Sequence, residues 1–257
     1  MRARLLTAAL ALFVAPLAAC GSTSDAPSGS SSAVTGDITV FAAASLKEAF
    51  TTIGEQFEAA NPGTSVTFSF GPSSGLATQI IEKAPADVFA SASQKTMDAV
   101  VDAGLAPSSS VFAVNTMAIA TPIDPSTPVT SLADLANPEA KVAVCASDVP
   151  CGVAADKLFE QNRLTVSPVS EEADVKAVLT KVALGEADAG IVYVTDVKSA
   201  GDTVVGVSIP ADQNVTTTYP IATVTDSRNS ATAAAFVAFV LSPEGQKVLA
   251  DAGFSAP

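Results

Sequence analysis

Ile38-Thr39-Val40-Phe41-Ala42-Ala43-Ala44-Ser45-Leu46-Lys47-Glu48 reads as a short apolar strand that passes through three alanines into a helix. Residues 38–41 form the strand. Residues 46–60 carry helical spacing, with Leu46, Phe50, Ile53 and Phe57 on one side, and Asn61-Pro62-Gly63 stops them. Outward from this unit the pattern recurs. Residues 66–70 alternate as a strand, 76–83 are helical, 87–90 form a buried strand, and 96–103 form a helix ended by Gly104. Strand and helix alternating at this spacing predict an α/β fold with mainly parallel strands.

The second half repeats the theme. Residues 142–144 read as a strand, 152–161 and 175–184 as helices, and 189–193 as a buried strand. A strand at 221–225 and helices at 231–241 and 243–252 follow. Two α/β lobes with a cleft between them are expected.

The N-terminus reads as an export signal. Arg2 and Arg4 form a basic start, and the apolar run 5–14 is too short to span a bilayer as a stable helix. Leu17-Ala18-Ala19-Cys20-Gly21 resembles a bacterial lipobox, in which the cysteine is acylated and becomes the new N-terminus; an ordinary signal peptide cut near Ala19 is the alternative. Residues 21–36 are nearly all Ser, Gly, Thr, Ala, Asp and Pro, a composition expected to form a disordered tether that reaches roughly 50 Å when extended. No later segment approaches eighteen consecutive apolar residues.

Composition excludes whole classes of chemistry. The chain has 13 basic and 26 acidic residues, and loss of Arg2 and Arg4 with the signal takes its net charge from −13 to −15. Such a field repels nucleic acid and anionic lipid, and it disfavours an anionic ligand at long range. An anion site here must work by local geometry. Histidine is absent, which removes Ser-His-Asp and Cys-His catalysis and the usual zinc sites, so no metal site is expected; a Ser-Lys hydrolase stays open. If Cys20 carries lipid, Cys145 and Cys151 remain as an even pair in an oxidising compartment. They form either a disulfide across one tight loop or two buried thiols.

Four strand-to-helix junctions offer bare helix N-termini, where unpaired N–H groups and the helix dipole favour negative charge. At Ala42-Ala43-Ala44-Ser45, Ser45 is expected to start the helix and to form a capping box with Glu48. Gly71-Pro72-Ser73-Ser74 gives hydroxyls and N–H groups on a turn. At Val149-Pro150-Cys151-Gly152 the proline lacks an N–H and the glycine permits close approach. At Ala173-Asp174-Val175, Asp174 would cap and Val175 would present its N–H. Capping alone also accounts for the first two, and neither of the last two is specific by itself.

Val40-Phe41-Ala42-Ala43-Ala44-Ser45-Leu46, Pro85-Ala86-Asp87-Val88-Phe89-Ala90-Ser91-Ala92 and Gly190-Ile191-Val192-Tyr193 resemble the signature segments of the ModA-type molybdate receptors of ABC transporters. Glu172-Ala173-Asp174-Val175 and Tyr219-Pro220-Ile221-Ala222 extend the resemblance in order along the chain. It implies a type II periplasmic-binding-protein fold, with lobe I at 37–116 plus 220–257 and lobe II at 117–219. The chain would cross between lobes near 115–118 and 217–220. It implies that the oxyanion is held by Ser45 and Ser73 from one lobe, and by the N–H groups of Cys151 and Val175 and the Tyr193 hydroxyl from the other. Cys151 stands where the family's turn carries alanine, a change that keeps a backbone donor.

The expectation is therefore a lipid-anchored, extracytoplasmic, monomeric receptor without catalysis or cofactor. It would take molybdate or tungstate to an ABC permease and touch the membrane only through its anchor. The rivals are a sulfate or phosphate receptor of the same fold, the phosphate form needing Asp148 or Asp174 as acceptor, and a Ser-Lys hydrolase. Lys47, two residues from Ser45, is off that serine's helix face. A ferric receptor would want clustered tyrosine, histidine or carboxylate ligands, and the chain has two separated tyrosines.

Overall fold

The computed structural model describes residues 34–257. The signal, Cys20 and most of the tether read from the sequence lie outside them. Its last three residues do not, and they are ordered rather than tether: Val34 packs against the core, the Thr35 carbonyl accepts the Thr232 hydroxyl at 2.7 Å, and Gly36 opens the first strand and donates its N–H to the Gly63 carbonyl at 2.9 Å.

The chain begins with β1 (Gly36–Ala43), α1 (Lys47–Ala60), β2 (Thr64–Gly71), α2 (Ser73–Ile81), β3 (Val88–Ala90) and α3 (Gln94–Asp102). A long strand, β4 (Ser110–Thr121), leads to β5 (Val142–Cys145), α4 (Pro150–Asn162), β6 (Ser170–Glu172), α5 (Val175–Ala183), β7 (Ala189–Tyr193), α6 (Val194–Ala200) and β8 (Val205–Ser208). β9 (Thr216–Thr223) returns, and α7 (Ser230–Leu241) and α8 (Pro243–Ala252) complete the chain.

Sheet order is β2-β1-β3-β9-β4-β7-β5-β6, with β8 on β4. Parallel pairing is confined to β2-β1-β3 and to β6-β5-β7. The pairs β3-β9, β9-β4, β4-β7 and β4-β8 are antiparallel. The α/β reading therefore stands, as a mixed sheet. Helical crossovers make the parallel triplets, whereas β4 and β9 run directly from one half to the other. The first half of β4 pairs with β9 and its second half pairs with β7 and β8.

The apolar core divides in the same way. One buried cluster draws only on residues between Met117 and Val215, and two others on residues between Ile38 and Ala113 and between Tyr219 and Phe254. The apolar face expected of α1 is buried throughout, Leu46, Phe50 and Ile53 at 0% exposure and Phe57 at 1%. Phe50 and Phe57 meet Phe236 of α7 with ring centroids 6.1 and 5.4 Å apart. Each such side chain contributes about 1.5–3 kcal/mol by leaving water. This packing fixes α1 behind β1, so that the β1–α1 junction is a rigid edge of the cleft.

Asp87 is structural: one carboxylate oxygen accepts the Thr39 N–H at 2.7 Å and the other accepts the Ser227 hydroxyl. No helix among the described residues is long and apolar enough to cross a membrane.

Candidate functional site

The four strand-to-helix junctions singled out in the sequence end at one small cavity. Ala43, Ala44, Ser45, Gly71, Pro72, Ser73 and Ala92 form one wall, and Val149, Pro150, Cys151, Asp174, Val175 and Tyr193 form the other. All five residues expected to hold a ligand (Ser45, Ser73, Cys151, Val175 and Tyr193) line it, and all five are buried. The cavity offers about 20 Å³ to water centres. That is room for one compact ion, far below the several hundred Å³ of sites for organic ligands.

The first junction departs from expectation. Residues Ala44–Leu46 form one turn of 3-10 helix and α1 starts at Lys47, so Ser45 is not its cap and makes no box with Glu48. The reason lies outside the local sequence. Ser45 Oγ is drawn to the hydroxyl of buried Tyr219, 2.9 Å away, while Glu48 turns out to Lys176 Nζ at 2.8 Å.

At the second junction Pro72 is the N-cap and Ser73 the first residue of α2. The first helical bond there is Leu76 N–H to Pro72 carbonyl, so the N–H groups of Ser73, Ser74 and Gly75 precede any partner in the helix. Ser73 Oγ accepts the Ala92 N–H at 3.0 Å, which leaves its own proton to give.

At the third, Pro150 occupies the first turn of α4 and Val153 N–H bonds the Val149 carbonyl, leaving the N–H groups of Cys151 and Gly152 without helical partners. Cys145 and Cys151 are joined by a disulfide, which decides between the two readings of that pair. The link ties the end of β5 to the start of α4. A seven-residue loop of this kind is worth about 2 kcal/mol. Cys145→Ser combined with Cys151→Ser is expected to lower unfolding free energy by that amount, read by urea titration; a double variant as stable as the parent would remove this role.

At the fourth, Asp174 caps α5 as expected, its carboxylate accepting the N–H groups of Lys176 and Ala177 at 2.9 and 3.0 Å. Val175 N–H is left to the cavity. Among the described residues Asp174 is the one carboxylate lining that cavity, and it is committed to the cap. Asp148 lies on an exposed groove with Ser147 and is not part of the lining.

Tyr193 ends β7 with its ring fully buried, and its hydroxyl has no aligned hydrogen-bond partner among the described residues. An orphaned buried hydroxyl costs about 1–3 kcal/mol unless a ligand satisfies it. Burial first, and the neighbouring charge of Asp196 second, push its ionisation far above the usual tyrosine range, so it remains a neutral donor. Asp196 itself accepts the Tyr193 N–H at 3.0 Å.

Thus, among the described residues, no Lys or Arg lines the cavity, and every polar group free within it can donate. Charge compensation falls to oriented N–H groups and helix dipoles. Sequence reading missed one contributor. Tyr219 reads as a structural residue at the return crossing, and its hydroxyl contact with Ser45 spans 174 positions in sequence. Its only signal was rarity, as one of two tyrosines.

The model of the bacterial extracellular solute-binding proteins matches residues 38–255. A molybdate-binding protein ModA from Mycobacterium bovis is 45% identical over 250 residues, covering 96% of this chain and 95% of the relative. The fold is shared with the periplasmic molybdate-binding protein of Azotobacter vinelandii (TM-score 0.76, 20% identity, 86% of this chain and 99% of that one). It is shared equally with the sulfate-binding protein SubI of Mycobacterium tuberculosis (TM-score 0.75, 20% identity, 86% of each chain). The chain belongs to the ModA family within the bacterial extracellular solute-binding proteins. It is a solute-binding protein of ABC transport, with transport proteins rather than enzymes as its relatives.

Proposed function

We propose that this protein captures molybdate, and tungstate with it, between its two lobes and delivers the ion to an ABC importer, held at the extracytoplasmic face of the cell membrane by lipid on Cys20. The observation that carries the reading is the convergence of Ser45, Ser73, Cys151, Val175 and Tyr193 on one buried cavity of single-ion size, lined by donors and by no cation. An oxyanion without a proton at neutral pH needs donors only.

Hydrogen bonds to a charged group contribute about 1.5–3 kcal/mol each. Five or more of them, set against ordering and desolvation, reach micromolar to nanomolar affinity, roughly −8 to −12 kcal/mol. We take lobe I as residues 37–116 plus 220–257 and lobe II as 117–219, with β4 and β9 as the two links. Ser45 and Ser73 then sit on one lobe and the other three donors on the second. The ion stabilises only the closed arrangement, and differential affinity drives closure. A monomer recognised by its permease in the closed form follows from this scheme.

Calorimetric titration with molybdate, tungstate, sulfate, phosphate and ferric citrate tests it. Molybdate and tungstate should bind, whereas heat from sulfate with none from molybdate would overturn the choice of ion. Ser45→Ala and Ser73→Ala should each weaken molybdate binding at least about tenfold, one charge-assisted hydrogen bond's worth. Unchanged affinity in both would remove them from the site.

A further inference from the structure

Three of the four ends that meet at the cavity are held in place by side-chain hydrogen bonds. Ser45 is tied to Tyr219 at 2.9 Å, Ser73 to the Ala92 N–H at 3.0 Å, and Asp174 to the N–H groups of Lys176 and Ala177 at 2.9 and 3.0 Å. The start of α4 has no such tie among the described residues. Its N-cap is Val149, whose side chain carries no acceptor, and its first residue is Pro150. Yet this end presents the Cys151 and Gly152 N–H groups. What fastens it is the bond from Cys151 to Cys145.

The two sulfurs stand on unequal ground. Cys145 is the last residue of β5, in register with Glu172 of β6, and the next N–H, from Ala146, bonds the Glu172 carbonyl at 2.8 Å. That side is anchored in the sheet. Cys151 lies in the first turn of a helix whose preceding loop is exposed at Ser147 and Asp148. That side can move. Both cysteines are buried, and once the bond between them opens, the two sulfurs must part to van der Waals contact. Cys145 cannot retreat without breaking the sheet edge, so the start of α4 shifts and takes the Cys151 N–H with it.

We propose that Cys145 is a positioning residue for the oxyanion, acting through its disulfide: the bond holds the Cys151 and Gly152 N–H groups at the ion, and its reduction weakens the site. The step is a two-electron exchange. A dithiol gives up two electrons and two protons and closes to its own disulfide, while the Cys145–Cys151 bond opens to two thiols. The inference rests on the oxyanion reading above and adds to it a dependence on redox compartment. An extracytoplasmic chain meets oxidising conditions only after export, so its site is completed on the side where the ion is captured.

Calorimetry with molybdate, on the oxidised protein and on the protein reduced with dithiothreitol, tests this. Reduction should weaken binding about tenfold, the loss of one charge-assisted hydrogen bond. Linkage requires the converse: saturating molybdate should lower the reduction potential of the pair by about 30 mV, the equivalent of tenfold for a two-electron couple. The potential is read in dithiothreitol redox buffers by alkylating free thiols and following the peptide that carries both cysteines by mass spectrometry, so that Cys20 does not enter. Cys145→Ser should bind as weakly as the reduced parent and show no further response to reductant. A disulfide that only stabilises the fold would leave the affinity of the folded protein unchanged on reduction and the potential unmoved by the ion, and that result overturns the proposal. If the oxidised protein does not bind molybdate, it is the oxyanion reading that fails. Should the reduced chain unfold, Cys145→Val combined with Cys151→Ala decides, since it keeps apolar packing without the bond. Affinity about tenfold below the parent supports the positioning role, and affinity equal to the parent overturns it.

Discussion

Gly152→Ala is expected to lower stability by about 3 kcal/mol, the upper part of the range for overpacked sites, and to weaken oxyanion binding at least about tenfold. A Cβ at Gly152 would lie 1.8 Å from the Ala146 carbonyl oxygen, 2.5 Å from its carbon and 2.9 Å from the Cys145 carbonyl oxygen. All three are backbone atoms and none can swing aside as a side chain would. The Cys145–Cys151 disulfide closes the loop on both sides of the clash. The Ala146 N–H is bonded to the Glu172 carbonyl at 2.8 Å, so retreat there would break the edge of the sheet. Relief must come from the first turn of α4, and any shift of that turn carries the Cys151 N–H away from the cavity. Urea unfolding and calorimetry with molybdate read both effects in one variant. Parent-like values in each would mean that the loop has slack.

Legibility in the sequence follows the range of the interaction concerned. The face of α1 was legible because Leu46, Phe50, Ile53 and Phe57 fall on a 3.6-residue period that the core then buries. Asp174 was legible as a cap because its partners are two and three residues away. The Ser45–Glu48 box obeyed the same local rule and failed, since partners 174 and 128 residues distant took both side chains. β4, β6, α6 and β8 left too little pattern. β4 is polar at Asn115 and Thr116, in its middle, and β6 is only Ser-Glu-Glu. The antiparallel pairing of β4 with β9 was invisible because it joins segments about a hundred residues apart. For the candidate site, local chemistry indicated helix ends, and family resemblance indicated which ones and that they share one ion; neither indicated the Tyr219 hydroxyl behind Ser45, 174 positions away.

Lys176→Met is expected to cost about 3 kcal/mol of stability at pH 8 and under about 1 kcal/mol at pH 5. Lys176 Nζ lies 3.1 Å from Asp196 Oδ1, as a charge pair without hydrogen-bond alignment, and reaches Glu48 and Ser199 Oγ at 2.8 and 3.0 Å. Asp196 is wholly buried and holds the Tyr193 N–H, so its charge cannot be dispensed with by moving into water. Burial raises its pKa to about 6, against the lowering effects of Lys176 and the Tyr193 N–H, with Glu48 adding a smaller upward push; Tyr193 and Tyr219 stay neutral beside it. The folded chain therefore takes this proton before the unfolded chain does, and between about pH 4 and 6 the protonated carboxyl favours the fold. That contribution is lost as pH rises through 6. Lys176 acts only on the ionised form. Its removal moves the Asp196 pKa higher still and continues the decline into the alkaline range, so the gap between variant and parent opens as pH rises. Glu48→Gln, which removes only the half-exposed partner across the cleft, should cost less than about 1 kcal/mol at either pH. Unfolding free energies at pH 5 and pH 8 measure all of this. An equal deficit for Lys176→Met at both values would mean that the lysine supports the fold by packing its stem rather than by holding the buried charge beneath Tyr193.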